Sequence, residues 1–177
     1  MGITGGHNHS YLLIYRVNQF MEKVAVFVDV QNIYYTTRDI FRRSFDYKRF
    51  WNQIESKDKI IKANAYAIHR GDEKQQKFQY ALRSIGFNVK LKPYISRADG
   101  STKGDWDVGI TIDILDSVQE VEKIILLSGD GDFDLLVHKV IDQYGCIVDI
   151  YGVKELTANS LIESASKFHS ISNKFLV

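Results

Sequence analysis

The sequence predicts an α/β fold in which a mainly parallel β-sheet is covered by helices on both faces. Short β-branched runs recur along the chain, amphipathic helical patterns separate them, and glycines stand where two of these helices should end. Strands that alternate with helices of this length form parallel sheets whose crossover helices lie on both faces. The length of 177 residues and the 45% hydrophobic content indicate one domain with a real core.

Five apolar runs are predicted to be the strands of the sheet. In chain order they are residues 24–30, 59–68, 88–95, 123–127 and 146–151. Each is short, is rich in β-branched or aromatic residues and is followed by polar or glycine-containing sequence, which is typical of strands.

Three helical patterns lie between or after these runs. Apolar residues at spacings of three and four define them: Phe133, Leu136, Val137, Val140, Ile141 and Tyr144; Phe78, Ala81, Leu82 and Ile85; and Leu161, Ile162, Ala165 and Phe168. Gly86 and Gly145 follow two of the patterns, where a left-handed C-cap is favoured.

Charge and cysteine content limit the possible partners and the compartment. The chain has 23 basic and 22 acidic residues, so its net charge of +1 gives no overall preference for nucleic acid or membrane. A polyanion would therefore have to bind a local patch. The single cysteine, Cys146, excludes an internal disulfide and suits a reducing cytoplasm, and its apolar surroundings predict a buried side chain.

The first 20 residues differ from the rest of the chain. The apolar stretch at residues 11–15 is too short to span a membrane and lacks the features of a signal peptide. We expect an N-terminal extension or leader at residues 1–20 and a domain at residues 21–177.

Three aspartates are predicted to meet at one edge of the sheet. Asp29 ends the first strand, Asp130 follows the fourth, and Asp107 begins the helix that leaves the end of the third. In a doubly wound sheet these strand ends share an edge, and ligands bind where the strand order reverses. Carboxylates without His or Cys suit Mg²⁺ or Mn²⁺, and such an ion suits phosphodiester hydrolysis.

Several nearby residues allow a structural interpretation as well. Asp132 is placed to cap the helix that begins near Phe133, although it could also face a metal. Asp113 lies about 120° around the helix from Asp107, so we expect a structural hydrogen bond there. Asn32 could start the helix after the first strand or orient Asp29. Tyr34 and the adjacent tyrosine are expected to be packing residues rather than base-stacking platforms.

Three separated blocks of the chain resemble a known family. "VAVFVDVQNIYY", "KGDWDVGITIDILD" and "ILLSGDGDFDLLVHKVIDQYGCIVDIYG" resemble the signature blocks of the NYN domain family, in its LabA-like branch of the PIN-like nuclease superfamily. The resemblance covers residues 23 to about 170. It implies a PIN-like, Rossmannoid three-layer sandwich with strand order 3-2-1-4-5 and an acidic Mg²⁺ site. The positions that match the family blocks are Asp29, Asn32, Lys103, Asp107, Asp113, Ser128, Asp130 and Asp132.

The residues and the resemblance together predict a Mg²⁺- or Mn²⁺-dependent endoribonuclease that cleaves single-stranded or unpaired RNA and has no membrane partner. Asp29, Asp107 and Asp130 would hold the metal, and Asp132 would complete the site. The remaining assigned residues are Asn32 and Ser128, which would orient water or ligands, and Lys103, which would contact substrate phosphate.

The basic segment that carries Lys90, Lys92, Arg97 and Lys103 is a candidate route for RNA. The principal alternative is a regulatory module that binds nucleic acid or protein without cleavage. A phosphatase of the haloacid dehalogenase type ranks last, because "DVQN" lacks the second aspartate that such an enzyme needs.

Overall fold

The computed structural model describes residues 21–69, 71–93, 95–96, 102–103 and 105–177, with residues 93, 95–96 and 102–103 described by backbone alone. The predicted leader at residues 1–20 lies outside the described residues, as does Arg97 of the basic segment.

The central sheet has six strands, all parallel, in the order β3-β2-β1-β6-β7-β8. These strands are β1 (Lys23–Asp29), β2 (Lys59–His69), β3 (Asn88–Pro93), β6 (Lys123–Leu127), β7 (Ile147–Gly152) and β8 (Lys167–Ser170). Two short strands, β4 (Ile95–Ser96) and β5 (Thr102–Lys103), pair antiparallel outside the sheet. The first five sheet strands have the predicted order 3-2-1-4-5, and β8 adds a sixth at the edge beside β7.

In the described part of the chain, six α-helices connect the strands. They are α1 (Val30–Phe41), α2 (Tyr47–Glu55), α3 (Glu73–Ile85), α4 (Asp107–Ser117), α5 (Asp134–Tyr144) and α6 (Asn159–Ser164). Carboxylates of Asp29, Asp46 and Asp72 cap the first three helices at their N-termini. Gly86 and Gly145 end α3 and α5 at positive φ, as predicted from their positions.

The last predicted helix is shorter than its apolar spacing suggested. α6 ends at Ser164, Ala165 is extended, and Phe168 lies in β8. The cause is tertiary pairing, since β8 aligns Lys167 with Asp149 and Phe168 with Ile150 of β7. The prediction of a continuous helix through Phe168 is therefore wrong, because strand pairing overrides a local helical pattern.

The core consists of two apolar clusters, one on each face of the sheet. Val26 and Val28 of β1 point into the cluster that α1, α2 and α3 cover. Ala25 and Phe27 of the same strand point into the cluster that α4, α5 and α6 cover. Each large apolar side chain buried in this way stabilises the fold by about 1.5–3 kcal/mol. The sheet with helices on both faces is the predicted three-layer sandwich.

The strand order places a crevice at the carboxyl ends of β1 and β6. The chain passes from β1 to β2 on one side of β1, whereas β6 pairs with β1 on the other side. This reversal is the switch point at which α/β sheets bind ligands.

Within the described residues, no helix is long and apolar enough to cross a membrane.

Candidate metal centre

Asp29 lies where β1 ends and α1 begins. Its carboxylate accepts hydrogen bonds from the backbone N–H of Asn32, at 3.1 Å, and from the hydroxyl of Ser128, at 3.4 Å. The first bond caps α1 and fixes the carboxylate at the edge of the sheet. α1 begins at Val30, so Asn32 does not start the helix.

The loop after β6 is tied to α1 by hydrogen bonds. The backbone N–H of Gly129 donates to the side-chain oxygen of Asn32 at 2.9 Å, and the N–H of Asp130 donates to the Ser128 hydroxyl at 3.2 Å. Ser128 is fully buried. Its burial favours a role in positioning Asp29 over a direct contact with substrate.

Two glycines let this loop lie against the segment that precedes α6. A Cβ atom on Gly129 would lie 2.9 Å from the carbonyl oxygen of Leu156, and a Cβ on Gly131 would lie 2.9 Å from the Cβ of Ala158. The carbonyl of Gly129 also accepts a hydrogen bond from the N–H of Ala158. The glycines in "SGDG" therefore permit close packing of the loop that carries Asp130 between them and Asp132 directly after them.

Three carboxylates converge beside this loop. Asp107, Asp130 and Asp132 each offer an oxygen, and these oxygens lie within 4.8 Å of one another. Asp29 is outside that group, but it lines a cavity of about 260 Å³ together with Asp107 and Asp130. Asp107 is placed there by its position as the first residue of α4.

The cavity is strongly electronegative. Asp29, Asp105, Asp107 and Asp130 line it, and within the described part of the chain no Lys, Arg or His does. Burial, reinforced by the charges of Asp130 and Asp105, raises the pKa of Asp107 to about 6. Burial likewise raises the pKa of Asp29, although hydrogen bonds from Asn32 and Ser128 oppose the change. A group of carboxylates with no basic side chain among the described lining residues offers the all-oxygen donor set that Mg²⁺ and Mn²⁺ prefer.

Asp132 does not cap the helix that follows it. Asp130 caps a single 3₁₀ turn, Gly131–Phe133, by accepting from the N–H of Asp132 at 3.0 Å, and α5 then begins without a side-chain cap. The predicted capping role of Asp132 is therefore wrong, because the 3₁₀ turn moves the cap two residues earlier. Its exposed carboxylate remains available to the acidic group.

Asp113 has the structural role predicted for it. Its carboxylate accepts hydrogen bonds from the hydroxyl of Tyr66, the ammonium of Lys90 and the amide of Asn64. Burial alone would raise the pKa of Asp113, but the bonds from Lys90 and Tyr66 outweigh it and lower the pKa. This network joins α4 to β2 and β3.

The lysines of the basic segment make different contacts. Lys90 forms an ion pair with Asp113, so its charge is used within the fold. Lys92 lies over the ring of Trp106, 4.4 Å from its centroid, and donates to the carbonyl of Asp105. The side chain of Lys103 lies outside the described residues, and its phosphate contact stays a prediction.

Sequence reasoning missed Trp106. Its indole N–H donates to the carbonyl of Ala67 at 2.9 Å, its ring packs 5.2 Å from that of Tyr66, and it lines the acidic cavity. The only sequence signal was its position directly before Asp107.

Two tyrosines of α1 are not packed in the core. Tyr34 is 49% exposed and Tyr35 is 50% exposed. The prediction that they are packing residues is wrong, because the face of α1 that contacts the core is formed by Val30, Ile33 and Thr37.

Comparison with known proteins finds a family, a relative and a solved structure to which this chain is similar. The NYN domain profile matches residues 23–172. The low amplitude and bright protein LabA of Synechococcus elongatus (strain ATCC 33912 / PCC 7942 / FACHB-805) is 30% identical over 120 residues, which are 63% of this chain and 64% of that protein. The chain thus matches slightly less than two thirds of LabA. A crystal structure of a Vibrio parahaemolyticus RIMD 2210633 protein of unknown function is 49% identical, with a TM-score of 0.85, and the match covers 89% of this chain and 98% of that one.

Proposed function

The chain belongs to the NYN domain family of PIN-like nuclease domains, and on that basis we propose that it hydrolyses RNA phosphodiester bonds with Mg²⁺ or Mn²⁺. NYN domains are generally nucleases that act on RNA. We propose single-stranded or unpaired RNA as the substrate and internal bonds as the point of cleavage.

One observation carries the proposal: the carboxylate oxygens of Asp107, Asp130 and Asp132 lie within 4.8 Å of one another at the switch point of the sheet. These carboxylates come from two separate segments, the start of α4 and the loop after β6. The fold therefore brings like charges together. Such repulsion is offset when a cation is bound, and an all-oxygen donor set suits a hard divalent ion.

Each acid has a proposed role. Asp107, Asp130 and Asp132 would hold the ion, and Asp29 would complete the site from the floor of the cavity. Asn32 and Ser128 are proposed as positioning residues, because their hydrogen bonds fix the loop that carries Asp130 and the carboxylate of Asp29. A divalent ion bound there would stabilise charge on the scissile phosphate and increase the acidity of a water molecule.

The surroundings of the cavity would orient the RNA. Lys92, held over Trp106, would contact a phosphate next to the scissile bond. Lys103 would contact a second phosphate, as the family blocks imply. Trp106 would keep its place through its bond to Ala67 and so support both Lys92 and the start of α4.

The test is hydrolysis of end-labelled single-stranded RNA by the parental protein and by Asp130→Asn. The control is Asp142→Asn, which removes an exposed acid of α5 outside the acidic group. Changes to residues that merely support metal ligands lower affinity or activity about 10- to 100-fold, so loss of a ligand should lower the rate by at least about 100-fold. The control should keep the parental rate.

Equal, metal-dependent rates for the parental protein and Asp130→Asn would contradict the assignment of the site. RNA binding without any hydrolysis in Mg²⁺ or Mn²⁺ would instead identify a regulatory module that retains the acidic pocket.

A further inference from the structure

A second cavity lies beside the acidic one. It has a volume of about 450 Å³ and is formed by α1, the carboxyl end of β2, the start of α2 and the first half of α3. Gln31 and Tyr35 line both cavities, so the two share a wall on α1. A ligand that reaches from one cavity to the other would therefore pass along this helix.

The size and lining of the second cavity suit a flat, partly polar ligand. Its volume falls in the range of about 300–1,000 Å³ that is typical of small-molecule sites. Phe45 and Tyr47 are buried and give it an apolar floor, while Gln31 and Gln75 add amide groups to the wall. Apolar surface with a few amide groups is suited to a nucleobase, which has two apolar faces and a polar edge.

Half-exposed aromatic rings stand at this cavity. Tyr34 and Tyr35 both line it, and their rings meet edge to face with centroids 5.3 Å apart. The guanidinium of Arg38 lies 5.8 Å from the centroid of Tyr34. Exposed tyrosine rings and arginine planes are the groups on which proteins stack unpaired bases.

The charge of the second cavity is opposite to that of the first. Arg38 and Lys74 line it, and Asp72, the one acid among its described lining residues, accepts a hydrogen bond from the N–H of Gln75 at 2.8 Å. A metal ion in the acidic cavity and the basic residues of the second cavity would place positive charge on both sides of a scissile bond. This arrangement fits an RNA strand that spans the two cavities.

We propose that the second cavity binds one unpaired nucleobase of the RNA, adjacent to the phosphate held at the acidic centre. This assignment rests on the proposed function, because it takes the ligand to be the same RNA strand. Tyr34 stacks on the base, and Arg38 and Lys74 lie beside its sugar-phosphate.

The test measures base-dependent binding in the absence of metal, so that it does not rely on hydrolysis. The probes are a fluorescent single-stranded RNA hexamer and the same ribose-phosphate backbone with abasic residues, titrated in EDTA at low salt. Stacking of one base on an aromatic ring corresponds to about 5- to 150-fold in affinity. We expect Tyr34→Ala to lose affinity for the normal hexamer by a factor in this range and to bind the abasic strand as the parental protein does.

Two variants control for the chemistry of the side chain. Tyr34→Phe keeps the ring and should keep most of the affinity. Tyr80→Ala removes a tyrosine of α3 that is 73% exposed and does not line the cavity, and it should bind both probes normally. Lys74→Ala should weaken the binding of both probes. It should also reduce the slope of log affinity against log salt concentration by about 0.7.

The proposal would be overturned if Tyr34→Ala bound the normal hexamer as tightly as the parental protein does, or if it lost affinity equally for both probes. It would also be overturned if the parental protein bound the two probes equally well. Base-dependent binding without hydrolysis in Mg²⁺ or Mn²⁺ would refute the nuclease and retain the base site. Hydrolysis without base-dependent binding would refute the base site and retain the nuclease.

Discussion

Replacing Asp107 by asparagine should stabilise the protein in the absence of metal and weaken metal binding at the proposed site. Asp107 lies at the acidic cavity, where burial and the charges of Asp130 and Asp105 raise its pKa to about 6. An amide of nearly the same shape removes the charge. The fold should therefore gain stability, whereas a bound cation would lose one of its ligands.

The structure limits the size of this gain. The gap between a pKa of about 6 and the ordinary 3.8 corresponds to at most about 3 kcal/mol. Because the side chain of Asp107 is partly exposed, solvent screening reduces that figure substantially. An acid in the first turn of a helix also gains about 0.3–1 kcal/mol from the helix dipole, which the asparagine loses. We expect a net gain of about 1 kcal/mol, or about 2–4 °C in Tm.

The gain should depend on pH in a defined direction. A carboxyl whose pKa is raised by folding contributes stability that is fully present below its unfolded pKa, and this stability is lost as the pH rises through the folded value. Asp107 thus destabilises the metal-free fold above about pH 6 and not near pH 3.8. The advantage of Asp107→Asn should be complete above about pH 7 and nearly absent at pH 4.

The assay is chemical unfolding of the parental protein and Asp107→Asn in EDTA between pH 4 and pH 8. Asp116→Asn is the matched control, because Asp116 is an exposed acid of the same helix and does not line the acidic cavity. In Mn²⁺ the parental protein should be stabilised more than Asp107→Asn, since a ligand that binds the folded state stabilises it by mass action. A variant that is less stable than the parent at pH 7.5 without metal, or a difference that does not change with pH, would refute the reasoning.

Three further substitutions test other parts of the site. Asp113→Ala leaves its hydrogen-bond donors unpaired and should destabilise the fold by about 1–3 kcal/mol in urea unfolding, with unchanged Mn²⁺ affinity; a neutral effect would contradict the network. Gly129→Ala places a Cβ atom 2.9 Å from the carbonyl of Leu156, so unfolding should show a loss of about 1–3 kcal/mol; unchanged stability would refute the packing. Asp132→Ala should weaken Mn²⁺ binding at least about 10-fold by electron paramagnetic resonance and leave the metal-free Tm unaltered; an intact affinity would remove Asp132 from the ligand set.

The sheet was largely predictable because buried parallel strands leave a strong local signal. β1 and β6 carry continuous apolar runs, and β2, β3 and β7 carry apolar stretches interrupted by polar residues. β8 has four residues with no buried alternation and becomes a strand only by pairing with β7. α2 was missed although Tyr47, Phe50 and Ile54 recur at helical spacing. The polar residues between them obscured that pattern.

The candidate site was predictable only in part, for a similar reason. The position of Asp107 and Asp130 at one edge follows from parallel topology, and the structure brings them together. The placement of Lys92 over Trp106 depends on contact between β3 and the start of α4, which no local pattern contains. The exposure of Tyr34 depends on which face of α1 meets the core.

The location of Mn²⁺ in crystals of the protein, determined from its anomalous scattering, tests the central claim most directly. The account predicts one or more ions at the switch point, about 2.1–2.2 Å from carboxylate oxygens of at least two of Asp107, Asp130 and Asp132, with Asp29 in direct or water-mediated reach. The Asp130→Asn crystal should show a weaker peak or none. A Mn²⁺ ion bound elsewhere, with the three carboxylates left without one at a concentration that supports RNA hydrolysis, would contradict the account.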